Sequence, residues 1–206
     1  MAGRILILGA GGHARAVADL AEVCAFTVVG FIDRAAGPGV IGGDADVAAL
    51  ARAGRMDGAV VGVGNTALTR RAELFALLRH AGVPAPTLVH PRAVVSPSCR
   101  IGAGTVVFPA TLGAHVTVGD NAVIYSGAVA EHECRIGDHA YLSPGVILSG
   151  TVTVERGAFV GTGAVLLPGV VVGAGAVVAA GAVVTADVRE GDTVIGVPAR
   201  VRIEAP

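Results

Sequence analysis

The chain reads as an α/β domain followed by a parallel β-helix, and three observations carry that reading. From Val118 to Val184 an aliphatic residue occupies every sixth position without insertion: Val118, Ile124, Ala130, Ile136, Leu142, Leu148, Val154, Val160, Leu166, Val172, Val178 and Val184. Two residues before each lies a small or branched apolar residue, from Val116, Ala122, Ala128 and Cys134 through to Ala182. An amphipathic helix or a single alternating strand does not keep this beat, whereas a triangular coil does, because each flat side spends six residues and each corner needs a small one. Second, Ile101-Gly102, Val118-Gly119, Ile136-Gly137 and Val172-Gly173 recur at whole three-sided turns of that coil, or one position short. Third, 31 of 206 residues are Gly, and 53% are hydrophobic but only 3% aromatic. A layered globule draws on aromatic bulk; a narrow prism is filled by stacked Val, Ile, Leu and Ala.

The segments before the coil follow a different rule. Arg4-Ile5-Leu6-Ile7-Leu8 is an uninterrupted apolar run, predicting a buried strand, and Gly9 to Ala14 is a glycine-rich turn. Ala14 to Val23 has helical spacing through Val17, Leu20 and Ala21, and Thr27 to Ile32 predicts a second strand ending at Asp33-Arg34. This is a βαβ opening with a parallel sheet. A short helix is expected over Ala45–Ala53, a strand over Ala59–Val63, and an amphipathic helix over Thr66–Ala81 through Leu68, Leu74, Leu77 and Leu78. Val83-Pro84-Ala85-Pro86 ends that helix, and His90-Pro91 leads into the coil. The expected domains are residues 1–88 and 89–206.

Composition excludes several partners. The formal net charge of −1 supplies no basic field for nucleic acid or an anionic membrane. The chain has no apolar run long enough to span a bilayer, and Met1-Ala2-Gly3-Arg4-Ile5 enters a strand pattern directly, without the regions of a signal peptide. Cys24, Cys99 and Cys134 are odd in number and far apart, and Cys134 lies on the inward track as a buried thiol. A cytoplasmic protein is expected.

Two motifs carry chemistry. Gly9-x-Gly11-x-x-Ala14 fits the dinucleotide fingerprint, with Asp33 at the tip of the second strand where a ribose-binding acid stands. Glycines let backbone N–H groups approach a phosphate at a helix N-terminus. The short domain has room for one mononucleotide half, which suits a nucleotide linked to a sugar better than a nicotinamide cofactor. In the coil, where polar residues are scarce, Glu131-His132-Glu133-Cys134 stands out. His132 and Glu133 follow the inward Ala130, towards a corner where side chains project outward. An imidazole accepts a proton near neutral pH, and an adjacent carboxylate orients it. His115 and His139 raise a metal reading, but their spacings of 17 and 7 from His132 do not assemble one ligand set, and no metal is expected.

Taken together, Gly9-Ala10-Gly11-Gly12-His13, Gly30-Phe31-Ile32-Asp33-Arg34, Gly62-Val63-Gly64-Asn65, Glu131-His132-Glu133-Cys134 and Gly196-Val197-Pro198-Ala199-Arg200 resemble the NeuD/PglD-type sugar O/N-acetyltransferases. The resemblance implies a small Rossmann-like N-terminal domain binding a nucleotide-activated amino sugar. It also implies a left-handed parallel β-helix, a homotrimer, and acetyl-CoA lying between neighbouring prisms. Carried residue by residue, it implies His132 as general base with Glu133 as its carboxylate. Gly11, Gly12, His13, Asp33, Arg34 and Gly64 are implied as substrate contacts, and Tyr141, Thr162 and Ala180 as acetyl-CoA contacts. Tyr141 stands where a relative has a second histidine, and Arg34 where some relatives have an acid.

The reading that follows is acetyl-CoA-dependent N-acetylation of a nucleotide-linked amino sugar for surface-glycan synthesis, by direct transfer. O-acetylation of sialic acid or a similar sugar uses the same base. A metal-dependent hydratase and a non-catalytic nucleotide-binding scaffold are the readings from other classes.

Overall fold

The computed structural model describes residues 3–202; residues 1–2 and 203–206, at the outer ends of the two expected domains, lie outside it. The chain divides into two compact units, Met1–Pro91 and Arg92–Pro206.

In the first unit β1 (Arg4–Leu8), β2 (Thr27–Ile32), β3 (Val40–Gly42) and β4 (Gly58–Val61) form one parallel sheet in the order β3-β2-β1-β4. Helices α1 (Gly12–Val23), α2 (Val47–Arg52) and α3 (Leu68–His80) complete it. Ile5 to Leu8 and Ala59 to Val61 are at most 1% exposed, as expected of parallel strands covered on both faces.

Several elements differ from the sequence expectation. Helix α1 starts at Gly12 rather than Ala14, because the Gly11 carbonyl already accepts the Arg15 N–H at 3.2 Å. The strand expected to Val63 stops at Val61. The helix expected over 45–53 is a 3₁₀ turn, Asp44–Asp46, followed by α2, and that over 66–81 is a 3₁₀ turn, Asn65–Ala67, followed by α3. Strand β3 was not expected; three residues are too few to show a period. The buried stripe of α3 is Arg71, Leu74, Phe75 and Leu78, not one through Leu68 and Leu77. At Gly62 a Cβ would lie 2.9 Å from the Ala14 Cα, so α1 packs directly on the backbone at the end of β4 there. That contact explains the small third residue of the glycine fingerprint.

The second unit is a left-handed parallel β-helix of two-residue strands stacked in three ladders. Thr117 pairs with Arg135, Arg135 with Thr153 and Thr153 with Val171, each one full turn on. In the other two ladders Val123 pairs with Tyr141 and Val129 with Ile147. An antiparallel pair of Thr193–Ile195 with Arg200–Val201 closes the end. Ile124, Ala130, Ile136, Leu142, Leu148, Val154, Val160 and Leu166 all face inward and are at most 2% exposed. Burying each larger aliphatic side chain contributes about 1.5–3 kcal/mol. Cys134 is fully buried, donates Sγ–H to the Ser149 carbonyl at 3.2 Å, and burial pushes its thiol pKa up. It is therefore an inert core thiol.

The corners differ in what they carry. One has Gly127, Gly145, Gly163 and Gly181 in the left-handed conformation, φ 68–73°. Another has Asn121 (φ 52°) beneath His139 (φ 59°), whose Nδ1 accepts from the Asn121 amide at 2.9 Å. The third stacks His115 (φ 60°), Glu133 (φ 59°) and Thr151 (φ 61°), three exposed polar residues, below Gly169. Outside glycine this conformation costs roughly 1–2 kcal/mol per residue, so the third corner is held at a local cost.

Candidate functional site

His132 and Glu133 occupy that third corner. Backbone bonds from Glu133 N–H to the Ala114 carbonyl (2.8 Å) and from Thr151 N–H to the His132 carbonyl (2.9 Å) clamp them between neighbouring coils. His132 Nδ1 lies 3.2 Å from Glu133 Oε2, and both side chains are more than half exposed. The ionised carboxylate only accepts, so the imidazole hydrogen sits on Nδ1 and Nε2 is the basic nitrogen. The ring lies across Gly150 of the next coil, where a Cβ would come within 2.6 Å of Cε1. Gly150 thus seats the imidazole. Sequence reading passed over it, although it stands one full turn beyond His132 on a known period.

The expected acetyl-CoA contacts stand elsewhere on the prism. Thr162 and Ala180 are stacked at the glycine corner, with the Gly181 N–H donating to the Thr162 carbonyl at 2.8 Å. One flat side, carrying Val129, Ile147, Val165 and Val183 outward, separates that corner from the corner of His132. Tyr141 is 5% exposed, its ring 5.9 Å from Tyr125 and 5.8 Å from Phe159 in a column that begins with Phe108. The coil does not bring His132 together with Tyr141, Thr162 or Ala180 within one chain.

The first unit gathers most of the expected substrate residues. Gly9 needs to be glycine for its own backbone, at φ 111°, with Gly62 3.2 Å from where a Cβ would stand. Gly11 does not: its φ is −74°, and nothing lies within 4 Å of its Cβ position. What such a position favours is close approach from outside, at the N-terminus of a 12-residue helix. Gly11→Ala is therefore expected to leave the fold within about 1 kcal/mol of wild type. Nucleoside-diphosphate affinity is expected to fall roughly tenfold; thermal melts and calorimetric titration check both.

Asp33 organises the turn. Its Oδ2 accepts the Ala10 N–H at 2.8 Å and its Oδ1 the Ala35 N–H at 3.0 Å. Backbone hydrogen bonds, chiefly from Ala35, hold its carboxyl below the usual range. Two clefts meet at Asp33. One of about 800 Å³ runs past Gly11, Arg15, Asp19 and Phe31, and one of about 610 Å³ past Arg34, Asp44, Arg70 and Glu73. Arg34 hangs over the second with its Nε 3.9 Å from Asp44, whose carboxylate also pairs with Arg70.

His13 sits against Gly64, whose Cβ would lie 3.3 Å from that of His13. Burial first, and the Arg71 charge second, push its pKa down from 6.5 to about 3. The sign follows directly. The folded protein resists a proton that the unfolded chain takes up, so stability is full above pH 6.5 and is lost as pH falls from there towards about 3. His13→Gln is expected to flatten that part of the pH dependence, measured as melting temperatures at steps between those limits. The fully buried Arg71 beside it was missed, because two adjacent arginines on a helix read as a solvated face. Its place at i, i+3, i+4 and i+7 with Leu74, Phe75 and Leu78 was the available signal.

A mononucleotide-sized glycine-turn domain joined to a hexapeptide coil with an imidazole–carboxylate corner defines an acyltransferase of the hexapeptide class. Comparison with known proteins agrees. Residues 4–74 match the PglD N-terminal domain, and residues 110–150 and 151–186 match the bacterial transferase hexapeptide (six repeats). The chain is 37% identical to PerB from Caulobacter crescentus, solved with CoA and GDP-perosamine, over 97% of each chain with a TM-score of 0.92. It is 32% identical to the acetyltransferase domain of PglB from Neisseria gonorrhoeae FA1090, solved with acetyl coenzyme A. That match covers 98% of this chain and 100% of the other, with a TM-score of 0.90. The bifunctional protein GlmU of Heliobacterium modesticaldum is 33% identical over 78 residues, and the chain spans only 17% of its length. This chain belongs to the NeuD/PglD-type sugar acetyltransferases, hexapeptide-repeat enzymes built on a left-handed β-helix.

Among the described residues no helix is long and apolar enough to cross a membrane, and no group of three or more His, Cys, Asp or Glu is placed to hold a metal.

Proposed function

We propose that this protein transfers acetyl from acetyl-CoA to the amine of a nucleotide-activated sugar, in the cytoplasm, for surface-glycan synthesis. Residues 1–88 bind the nucleotide sugar through Gly11, Gly12, His13, Asp33, Arg34 and Gly64, and residues 89–206 carry acetyl transfer. The observation that carries this reading is the exposed His132–Glu133 pair, 3.2 Å apart, in a chain 37% identical to an enzyme solved with CoA and GDP-perosamine.

The sugar amine attacks the thioester carbonyl carbon, forming the C–N bond, and His132 Nε2 takes the proton the nitrogen sheds. The tetrahedral intermediate collapses with cleavage of the C–S bond, and the imidazolium returns a proton to the departing CoA thiolate. Glu133 stabilises the imidazolium between these steps. No acyl-enzyme is needed, and Cys134, pointing inward, is not placed to form one.

Two features support a homotrimer with the site shared between chains. The outward column Val129, Ile147, Val165 and Val183 is an apolar flat face that a neighbour would cover. His132 and the acetyl-CoA contacts Thr162 and Ala180 stand on opposite edges of that face, so a neighbour's edge brings the two sets together.

The test is thiol release from acetyl-CoA against GDP-, UDP- and CMP-linked amino sugars and free sialic acid. Release with one nucleotide amino sugar is the expected result. Release with sialic acid alone would move the assignment to O-acetylation, and release with none from trimeric protein would favour a scaffold. Parallel initial-rate plots, the mark of a ping-pong mechanism, would exclude direct transfer.

A further inference from the structure

We propose that Arg71 is a positioning residue of the substrate's diphosphate site, a cation sealed beneath the Gly11-Gly12-His13 turn that fixes the imidazole and attracts the phosphates from behind. This rests on the reading of that turn as the phosphate-binding segment.

The geometry is specific. Arg71 projects from α3 and is fully buried. Its Nη1 donates to the carbonyls of Val61 at 3.2 Å and Val63 at 2.6 Å, tying the end of β4 to the helix. The same nitrogen lies 3.5 Å from His13 Nε2. A guanidinium has donors only, and Nη1 has two hydrogens for three neighbours, so one is shared between the Val61 carbonyl and Nε2, which accepts and leaves the imidazole hydrogen on Nδ1. His13 is thereby held as a neutral N–H donor in one tautomer and one ring orientation. Its proton affinity, lowered by burial and by this charge, agrees with that state.

A leucine would complete the stripe of Leu74, Phe75 and Leu78; the guanidinium there instead ties the end of β4 and the His13 ring to α3 and places a positive charge behind the turn. Gly11 offers open space at the start of α1, two residues before the His13 that lies against the buried charge. Arg34 and Arg70 line the second cleft, each beside Asp44, while the cation on the cleft that Gly11 lines is Arg15, exposed, with Nη1 3.5 Å from the Ala10 carbonyl. Salt screens an exposed charge strongly and a buried one weakly, which separates the two contributions.

The experiment measures binding of GDP and guanosine, with UDP and uridine in parallel, by calorimetry on the full chain. The readout is the preference for diphosphate over nucleoside, which a merely structural role would leave unchanged. Arg71→Gln is expected to cut that preference about tenfold or more, and Arg71→Lys to keep it within about threefold. In wild type the preference is expected to fall less than about threefold between roughly 0.05 and 0.5 M salt. An unchanged preference in Arg71→Gln overturns the inference, as does a wild-type preference that collapses with salt and disappears in Arg15→Gln. Should Arg71→Gln fail to fold, the wild-type salt series and Arg15→Gln decide. Wild type that binds neither diphosphate refutes the phosphate-turn reading itself, and the inference with it; binding without an Arg71 effect refutes the inference alone.

Discussion

His132→Ala is expected to lower kcat about 10²–10⁴-fold with little change in the KM for acetyl-CoA. The expectation comes from one nitrogen. With Nδ1 turned to Glu133 at 3.2 Å, Nε2 is the group that receives the amine proton, and alanine supplies none. The side chain is more than half exposed and its removal leaves no cavity, so the melting temperature should hold. Glu133→Gln makes a graded companion. It keeps a side-chain oxygen beside Nδ1 but loses the negative charge that stabilises the imidazolium, and both groups stand in solvent, where such an interaction is worth at most about 1 kcal/mol. A fall of roughly fivefold follows from that figure. Steady-state rates across pH 6 to 9 give both numbers, and an alanine variant within about tenfold of wild type would falsify the general-base assignment.

Gly150→Ala is expected to cost about 10²-fold in kcat while leaving the coil folded. A methyl group there would stand within 2.6 Å of the His132 Cε1, closer than carbon atoms approach, and the ring must swing off its seat. Gly150 is not among the residues with positive φ, so alanine suits its backbone. The collision is with the end of a side chain, which makes it cheap for the fold and costly for the chemistry. A double variant, His132→Ala with Gly150→Ala, should be no slower than His132→Ala alone, since the ring that glycine accommodates is gone. Additive losses in that cycle would assign Gly150 another role.

The coil was legible because its physics is local and repeated. Val118, Ile136, Val154 and Val172 face inward for the same reason in every turn, so each repeat corroborates the next. The His132–Glu133 corner was legible because it breaks that monotony. Gly150 was not, because in a chain so rich in glycine nothing local marks one that is needed for a neighbour's side chain rather than its own φ. In the first unit the apolar runs announced β1, β2 and β4, while β3 depends on pairing with Phe31 and Ile32, which no local pattern announces. Arg71 was hidden by its type: charge suggests solvent, and only its position among Leu74, Phe75 and Leu78 says otherwise. The acetyl-CoA residues were reached through resemblance, since Thr162 and Ala180 sit in corners that look like any other.

The strict stacking also makes the length of this domain a quantised property. A complete three-sided turn added anywhere in the coil lengthens the prism by one storey and leaves every inward residue inward; any other insertion throws the downstream turns out of phase. Among the described residues the turn length departs from this in two places, near the two ends of the coil. Val94 pairs with Thr111, Arg100 with Thr117 and Val106 with Val123, each one position short of a full turn, and the short step falls at the corner Phe108-Pro109-Ala110. No residue of that corner has positive φ, unlike Gly127 and Gly145 in the storeys above. There a residue is lost with the left-handed link of its corner; near the end of the coil Val172 meets Val188 and Val177 meets Thr193, two positions short, and that loss falls at Thr185-Ala186-Asp187, above the corner of His132. The storey that carries His132 keeps its full count of six from Ala130 to Ile136, and families built this way should vary in whole storeys around it.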